Sequence, residues 1–414
     1  EGAHALLSGR GEPAGPLGAA SGAAGAPRAR EKVQGVQYSP HQVAEPRYSL
    51  YATPIDVYQA VYEGQHRAHL QLIKDSLGAN TLRVQPWNNK ATQGHSADSR
   101  LRTSFYRAMR DNGIKYLIPT FQLSKHYYGA ARDGTSIDQS DDSPFAKDFK
   151  DFVNAVAEFR DNASIDSQGL DVRAWGIDLA LSVKDVWGSI PQTGNASDCA
   201  AAKPEGGPLE TYQGAVHTIA NLVWPDGAPG QSLKDKPLLI PLDFAEVSGT
   251  DWPRARALAT CLSQWLDSTY DGGLLKSGKA EWLFAFTMPM PSLDTNMPPD
   301  QHDCSKSVAC ANFVEQTFAG YVKDLVADKA HLHRATVMLG TPALVTDRNA
   351  SYGDVVEDYG SIKNGVAQPP QQQVLLRYAF KQYKKAEDSH QDFLQGFLLD
   401  EWMDDWDRGA SGPF

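Results

Sequence analysis

The segment from Gly396 to Asp407 contains the residues of this chain that are best suited to chemistry. It opens with an apolar run, and five carboxylates interleaved with two tryptophans follow. Carboxylates can transfer protons or bind hydroxyl groups, and aromatic faces can stack on ring-shaped ligands. In a barrel of parallel strands, this is the pattern of a strand that leaves the buried wall and reaches the open mouth. The pattern is therefore typical of a site that faces sugars.

Glu401 lies within this acidic segment, and Asp178 and Asp243 lie near the ends of two other predicted strands. Glu401 and Asp178 could form a catalytic pair in which burial keeps one carboxyl neutral while the other stays ionised. The alternative is that both only bind backbone groups at the strand ends or the hydroxyls of a sugar. Residues 400–405 also offer the oxygen ligands that Ca²⁺ prefers, but their spacing fits no EF-hand loop. We therefore predict no metal and no cofactor.

Aromatic and polar residues near the predicted strand ends could complete a carbohydrate site. Rings would stack on pyranose faces, and amides would bond to hydroxyls. The alternative for each aromatic residue is that it anchors the core or a loop. The predicted carbohydrate-binding residues are Trp87, Asn88, Gln122, Tyr127 and Trp402.

The elements that must position these residues alternate regularly between short apolar runs and amphipathic stretches. The predicted strands are Val33–Ser39, Thr81–Trp87, Lys115–Phe121, Val172–Leu181, Leu238–Val247, Trp282–Met290, Ala335–Val345 and Phe393–Trp402. The predicted helices are Ile55–Leu77, Ser99–Asn112, Pro144–Asn162, Leu209–Val223, Trp252–Thr269, Val308–Asp328 and Gln371–Ala386. Strands that alternate with helices imply a parallel sheet, and eight of them in a chain of this length predict an α/β fold of the (β/α)8 TIM-barrel type. An open doubly wound sheet is the alternative, but no glycine-rich phosphate fingerprint follows any strand.

The two ends of the chain differ from this regular pattern. Residues 1–33 are rich in Ala, Gly, Pro and Arg and predict a low-complexity tail or linker, whereas residues 34–414 predict the barrel. Eight strands with only seven helices predict a barrel that lacks its last helix. We expect the exposed wall to be covered by the tail, by a removed continuation of the chain or by a neighbouring molecule.

The net charge of −11 argues against nucleic acid as a partner, because binding to nucleic acid depends on the neutralisation of phosphates by Lys and Arg. No apolar run approaches the roughly 18 residues that a membrane span needs. A neutral or polar ligand such as a polysaccharide fits the composition better. Self-assembly or an extracellular protein partner would fit the tail and the missing helix.

Cysteines and sequons indicate the secretory pathway. The four cysteines, Cys199, Cys261, Cys304 and Cys310, allow two disulfides in three connectivities, of which one with a Cys304–Cys310 bridge is favoured. The three Asn-Ala-Ser sequons begin at Asn162, Asn195 and Asn349, all in polar, turn-like segments where a glycan would meet solvent. A secreted or cell-surface glycoprotein is the expected product.

Several segments resemble retaining glycosidases of the (β/α)-barrel superfamily, above all β-1,3-glucanosyltransferases and their cellulase-like relatives. The segments are Gln34-Gly-Val-Gln-Tyr-Ser-Pro40, Leu77-Gly-Ala-Asn-Thr-Leu-Arg-Val-Gln-Pro-Trp-Asn88, Asp111-Asn-Gly-Ile-Lys-Tyr-Leu-Ile-Pro119 and Gly396 to Asp407. The resemblance spans most of residues 33–408, and its second-strand and last-strand segments are the specific ones. It implies a barrel whose mouth binds glycans.

The chain departs from this family at both catalytic positions. The resemblance implies an acid/base Glu after an Asn at the end of the fourth strand, where this chain has Leu179 and Ala180. It implies a nucleophilic Glu on the seventh strand, where Met338 or Thr341 stands. None of these four residues carries a carboxyl group, so none can act as the acid/base or as the nucleophile of the retaining reaction. We therefore expect a pseudoenzyme, retained as a carbohydrate-binding or structural module of an extracellular surface or filament; the alternative is an active β-glucan hydrolase or transglycosylase that uses relocated carboxylates.

Overall fold

The structure is a computed structural model, and its compact unit Val33–Phe414 contains every strand and helix described below. The described residues are 32–38, 63–84, 87, 100–123, 137–138, 140, 143–161, 169–178, 195, 198–199, 208–224, 227–243, 252–270, 281–288, 298, 301, 306–332, 335–340, 380–390 and 392–400.

The strands form one parallel sheet that closes on itself. They are β1 (Val33–Tyr38), β2 (Thr81–Val84), β3 (Tyr116–Gln122), β4 (Asp171–Val172), β5 (Trp175–Asp178), β6 (Leu238–Asp243), β7 (Trp282–Thr287), β8 (Ala335–Gly340) and β9 (Leu394–Asp400). The sheet order runs β2-β1-β9-β8-β7-β6-β5-β3, and β3 also pairs with β2. Because both β4 and β5 pair with β3, they are two parts of one interrupted strand. The predicted eight-stranded barrel is therefore confirmed.

The register of the strands gives the stagger of this barrel. We follow the paired residues from one strand to the next around the barrel. Starting at Leu398 of β9 and passing through β1 and β2, the pairing reaches Tyr116 of β3. In the opposite direction, the registers of β8, β7, β6 and β5 lead to position 124, just beyond the end of β3. The two arrival points are eight residues apart, which is the shear of (β/α)8 barrels, with strands tilted by about 36°.

Helices lie between the strands at the predicted places. They are α1 (Glu63–Leu77), α2 (Arg100–Asp111), α3 (Pro144–Asp161), α4 (Pro208–Asn221), α5 (Trp252–Tyr270), α6 (Val308–Ala327), the single turn α7 (Lys329–Leu332), and α8, which is described over 380–389. The starts of two helices, α3 and α6, have clear causes in the sequence. The side chain of Ser143 accepts a hydrogen bond from the backbone N–H of Ala146 ahead of a proline at the first helical position, and Ser307 accepts one from Cys310.

Alternation along the strands separates two apolar layers. One buried cluster fills the lumen of the barrel and consists of Val33, Ile118, Ala174, Leu239, Leu283, Ala285 and Leu398. The intervening strand residues face the helices and join a larger cluster, in which Phe121 contacts Phe145, Phe149 and Phe152 at ring distances of 6.0, 5.3 and 5.4 Å. Successive side chains of a strand point to opposite faces, so each strand supplies both layers.

A bulge in β9 sets which of its residues face the lumen. Ala335 pairs with Leu394 but Val337 pairs with Phe397, so β9 has one extra residue at this point. The bulge contains Gly396, whose φ is 143° and where a Cβ would collide with the carbonyl oxygen of Val33. Beyond the bulge Leu398 lies in the lumen cluster, whereas Phe397 contacts rings of α8.

The disulfides agree in part with the favoured connectivity. Cys199 is bonded to Cys261, which joins the segment after β5 to α5. Cys310 is also disulfide-bonded, in agreement with the predicted Cys304–Cys310 bridge, but Cys304 lies outside the described residues. Within the described part of the chain, no helix is both long and apolar enough to cross a lipid bilayer.

Candidate functional site

The carboxyl ends of the strands meet at one end of the barrel and form its mouth. Three strands end there on a carboxylate: β5 on Asp178, β6 on Asp243 and β9 on Asp400. β3 ends on Gln122, which pairs in register with Asp178. In (β/α)8 barrels this end carries the functional residues. The structure thus brings together at one rim the aspartates that the sequence assigned to separate strand ends.

Strand alternation also puts the backbone positions of these three aspartates in phase with residues of the lumen cluster. Position 178 is two residues after Gly176, where a Cβ would collide with the side chain of Thr120 inside the barrel. Position 243 is four residues after Leu239, and position 400 is two residues after Leu398, both of which belong to the lumen cluster. Since the period of a strand is two residues, the three positions have the same phase along their strands as the lumen residues. Glu401 lies outside the described residues.

A buried polar network lies just below this rim. Arg83 of β2 is 3% exposed, although it carries a positive charge. Its Nη1 donates to Oε1 of Gln37 on β1 at 2.7 Å, and its Nε donates to Oγ1 of Thr120 on β3 at 3.3 Å. The network joins three neighbouring strands inside the barrel. It adds buried polar groups to a lumen that is otherwise lined by apolar residues.

Sequence reasoning missed Arg83 and Gln37 as site residues. The signal that could have found them is a charged or amide residue in the middle of a short strand that is otherwise buried, as in Thr81–Val84. Arginine is almost never fully buried unless it is paired. A buried-type strand with an internal arginine therefore indicates a polar lumen.

Trp87 is not placed where a sugar could stack on it, which corrects the sequence prediction. It is fully buried, and its ring lies 6.2 Å from Phe105 and 6.5 Å from Tyr106 of α2. Its backbone N–H donates to the carbonyl oxygen of Thr120 at 2.9 Å. Trp87 therefore belongs to the layer between the barrel and the helices, and its faces are occupied by protein.

The remaining predicted residues are placed only in part. Asn195 is exposed. Its Nδ2 donates a hydrogen bond to the Asp198 carboxylate at 3.1 Å, and its Oδ1 accepts one from the backbone N–H of Asp198 at 2.8 Å. Its glycosylation stays a prediction. The other predicted residues lie outside the described residues, namely Asn88, Tyr127, Trp402, Asn162, Asn349, Leu179, Ala180 and Thr341.

A second pair of ionisable side chains, Tyr38 and His69, lies on the outer side of the wall. The Tyr38 hydroxyl and the His69 Nδ1 are 3.2 Å apart in a hydrogen bond between β1 and α1. Burial raises the pKa of Tyr38 and lowers the pKa of His69. Both groups face the helix layer rather than the lumen.

Comparisons with known proteins find distant structural similarity. No family model matches the chain, and no curated protein matches it. Among solved structures, it is similar to the exo-beta-1,4-mannosidase Op5Man5 from Opitutaceae bacterium strain TAV5, with 14% identity, a TM-score of 0.42, and coverage of 90% of this chain and 52% of that chain. It is also similar to a GH18 chitinase from Pseudoalteromonas aurantia, with 11% identity, a TM-score of 0.33, and coverage of 83% of this chain and 92% of that chain. The chain spans about half the length of the mannosidase. Similarities this distant do not identify an activity, so the site itself has to indicate the function.

Proposed function

We propose that this protein binds carbohydrate at the mouth of its barrel and has lost the chemistry of a retaining glycosidase. The observation that carries the proposal is the rim itself, where Asp178, Asp243 and Asp400 end three strands of a closed barrel. Carboxylates accept hydrogen bonds from hydroxyl groups, which sugars offer in abundance. The resemblance of the second-strand and last-strand segments to barrel glycosidases supports a glycan as the ligand.

The loss of retaining chemistry is supported by what the strands carry. A retaining enzyme needs two carboxyls about 5 Å apart, one as acid/base and one as nucleophile. The whole of β8, Ala335–Gly340, contains no carboxylate in its sequence. The residues that follow β5 are Leu179 and Ala180, neither of which can donate a proton. Binding without covalent catalysis fits these residues best.

Secretion and a structural role belong to the same proposal. The Cys199–Cys261 disulfide and the bonded state of Cys310 fit an oxidising compartment. The exposed sequon at Asn195 fits a glycoprotein. We infer an extracellular or cell-surface protein that holds a polysaccharide, and self-assembly with other copies or with an extracellular partner is part of this inference.

A second candidate function is hydrolysis or transglycosylation of β-glucans by relocated carboxylates. The specific observation in its favour is that β5 ends on Asp178, close to the fourth-strand position where barrel glycosidases carry their acid/base. Asp178 would act with Glu401 in this reaction, with one carboxyl protonated and the other ionised.

Binding and turnover measurements separate the two candidates. The purified glycoprotein is passed through native gels that contain soluble β-glucans, mannan or chitin fragments, and retardation is expected with at least one of them. The Asp243→Asn variant should lose retardation, whereas the matched control Asp171→Asn should keep it, because Asp171 lies at the opposite end of the barrel and pairs with Lys236 at 2.9 Å. No retardation with any glycan would refute the binding proposal. Robust release of product from chromogenic glycosides that disappears in Asp178→Asn would instead support the second candidate.

A further inference from the structure

A buried carboxylate, Glu387, lies on α8 in the helix layer of the barrel. It is 4% exposed. Its Oε1 accepts a hydrogen bond at 2.8 Å from the hydroxyl of Tyr383, one turn earlier on the same helix, and its Oε2 accepts one from Nζ of Lys384. A buried carboxylate is destabilising unless such partners compensate it, and hydrogen bonds to an ionised acceptor are the strong ones. Glu387 therefore holds the proton of the Tyr383 hydroxyl firmly.

The hydrogen bond to Glu387 decides how the Tyr383 hydroxyl can act towards the sheet. A hydroxyl group has one proton to donate and two lone pairs that accept. The proton is given to Glu387, and the backbone N–H of Gly396 on β9 donates to the hydroxyl oxygen. Burial and the charge of Glu387 raise the pKa of Tyr383, so the hydroxyl keeps its proton over the physiological range. Gly396, Tyr383 and Glu387 thus form a chain of two hydrogen bonds from the strand to the helix.

The N–H at the start of this chain belongs to the bulge of β9. Gln395 and Gly396 lie opposite the single residue Thr336 of β8. An inserted residue falls out of the ladder of strand hydrogen bonds. Gly396 is buried, and a buried backbone N–H without an acceptor is destabilising. Tyr383 supplies an acceptor from the helix layer.

The same tyrosine also contacts the first residue after the bulge. The ring of Phe397 lies 5.9 Å from the ring of Tyr383 and 4.8 Å from that of Phe380, both on α8. The next residue, Leu398, belongs to the lumen cluster. A slip of β9 by one residue would exchange these two faces and would also move Gly396 away from the hydroxyl. Tyr383 therefore favours the observed phase of β9 over the slipped one.

The helix that carries Tyr383 is held in place by its neighbour α6. Oε1 of Glu315 on α6 accepts hydrogen bonds from Nζ of Lys381 at 2.8 Å and from Nε2 of Gln382 at 2.7 Å. These are the two residues that precede Tyr383, and Gln382 is buried. The hydroxyl is therefore presented to β9 from a fixed backbone.

We propose that Tyr383 is a positioning residue for the mouth of the barrel: held by Glu387, it fixes the bulge of β9 and with it the phase in which this strand reaches the rim. The phase set at Phe397 and Leu398 continues to the end of the strand at Asp400, because the period of a strand is two residues. In the sequence, β9 leads directly into the acidic residues that follow. The effect on binding rests on the proposed carbohydrate function, whereas the hydrogen-bond chain does not.

Amide hydrogen exchange tests the chain without any ligand. Tyr383→Phe keeps the ring beside Phe397 and removes only the hydroxyl. Exchange at Gly396, followed in the peptide that covers β9, should become about tenfold faster because the N–H loses its acceptor, while a peptide that covers β6 should exchange as in the wild type. Unchanged exchange in the β9 peptide, or an equal acceleration in the β6 peptide, would overturn the proposal.

Two substitutions of Glu387 test whether the carboxylate orients the hydroxyl. Glu387→Met leaves the hydroxyl proton without this acceptor and should accelerate exchange in the β9 peptide. Glu387→Gln keeps an accepting oxygen and should restore protection to within about twofold of the wild type. Acceleration by both variants alike would overturn the orienting role of Glu387. Should Glu387→Met fail to fold, Glu387→Gln and Tyr383→Phe still decide, since protection must persist in the first and fall in the second.

Glycan affinity separates positioning from a purely structural role. Dissociation constants are measured in native gels with the soluble β-glucan, mannan or chitin fragment that retards the wild type. Tyr383→Phe should weaken binding by about fivefold or more. The matched control is Tyr321→Phe, which removes the same group from a tyrosine that is also buried but lies on α6, 5.0 Å from the ring of Trp252. Its affinity should stay within about twofold of the wild type.

The outcomes keep the two proposals apart. Equal affinities of Tyr383→Phe and the wild type, or an equal loss in Tyr321→Phe, would overturn the positioning role while leaving carbohydrate binding in place. No retardation of the wild type by any of these glycans would refute the carbohydrate function and with it the effect on binding. The exchange experiment would then still decide whether Glu387 and Tyr383 fix the bulge.

Discussion

The Cys199–Cys261 disulfide gives the sharpest stability prediction. It closes a loop with a sequence separation of 62 residues. In the chain-entropy description, a loop of this length restricts the unfolded chain by about 14 cal/mol/K, or about 4 kcal/mol at 25 °C. A unit of about 380 residues unfolds with an entropy of about 0.8 kcal/mol/K, so removing the bond should lower Tm by about 5 °C.

Calorimetry of the Cys199→Ala/Cys261→Ala variant without reductant measures this fall. The matched control is Cys304→Ala/Cys310→Ala, whose predicted loop of six residues restricts the unfolded chain by only about 2 kcal/mol. That variant should lose about half as much in Tm. A fall below about 1 °C for the long loop, or a larger fall for the short one, would refute the loop-length reasoning.

Three further predictions concern the core, the bulge and pH. Trp87→Ala should lower the free energy of unfolding by about 3–5 kcal/mol, as expected for a buried tryptophan. The milder Trp87→Phe should leave glycan retardation in native gels unchanged. A specific loss of retardation in Trp87→Phe would mean that this residue does contact the glycan. Gly396→Ala should lower the free energy of unfolding by at least about 2 kcal/mol in denaturant titration, because its φ of 143° and the contact with Val33 both oppose a Cβ; an unchanged midpoint would mean that the bulge is not required. Burial lowers the pKa of His69 and of His217 below the ordinary 6.5, so the unfolded chain binds more protons as the pH falls through 6.5 and Tm should fall between pH 7.5 and 5.5. The His69→Gln/His217→Gln variant should show a flatter Tm profile over this range, and an equally steep profile would mean that other groups cause it.

The elements of the barrel could be predicted because their signal is local. An apolar run such as Leu238–Asp243 is recognisable as a buried strand from its own residues, and α3 begins after a serine and a proline that favour a helix start. Eight strands separated by seven helices then allow few arrangements other than a closed parallel barrel. The rim carboxylates Asp178 and Asp243 follow from the same reasoning, since parallel strands share one carboxyl end.

The face on which a residue lies could not be predicted with the same success. Trp87 follows β2 and looked like a rim aromatic, yet it packs against α2. A rim residue and a wall residue can differ by one position along a strand, and no local pattern at Trp87 distinguishes them. Arg83 was missed for a related reason, because its meaning depends on Gln37 and Thr120, which are 46 and 37 residues away in the chain.

The sequence by itself determined that the chain makes strands and helices in alternation and that its strand ends carry acids. Both properties depend on the type and local period of residues. Only the tertiary structure decided the shear of eight, the phase of β9 after the bulge at Gly396, the bonding of Cys199 to Cys261 and the burial of Trp87. Each of these depends on which distant segments lie side by side, and closing a barrel selects one such set of contacts for the whole chain at once.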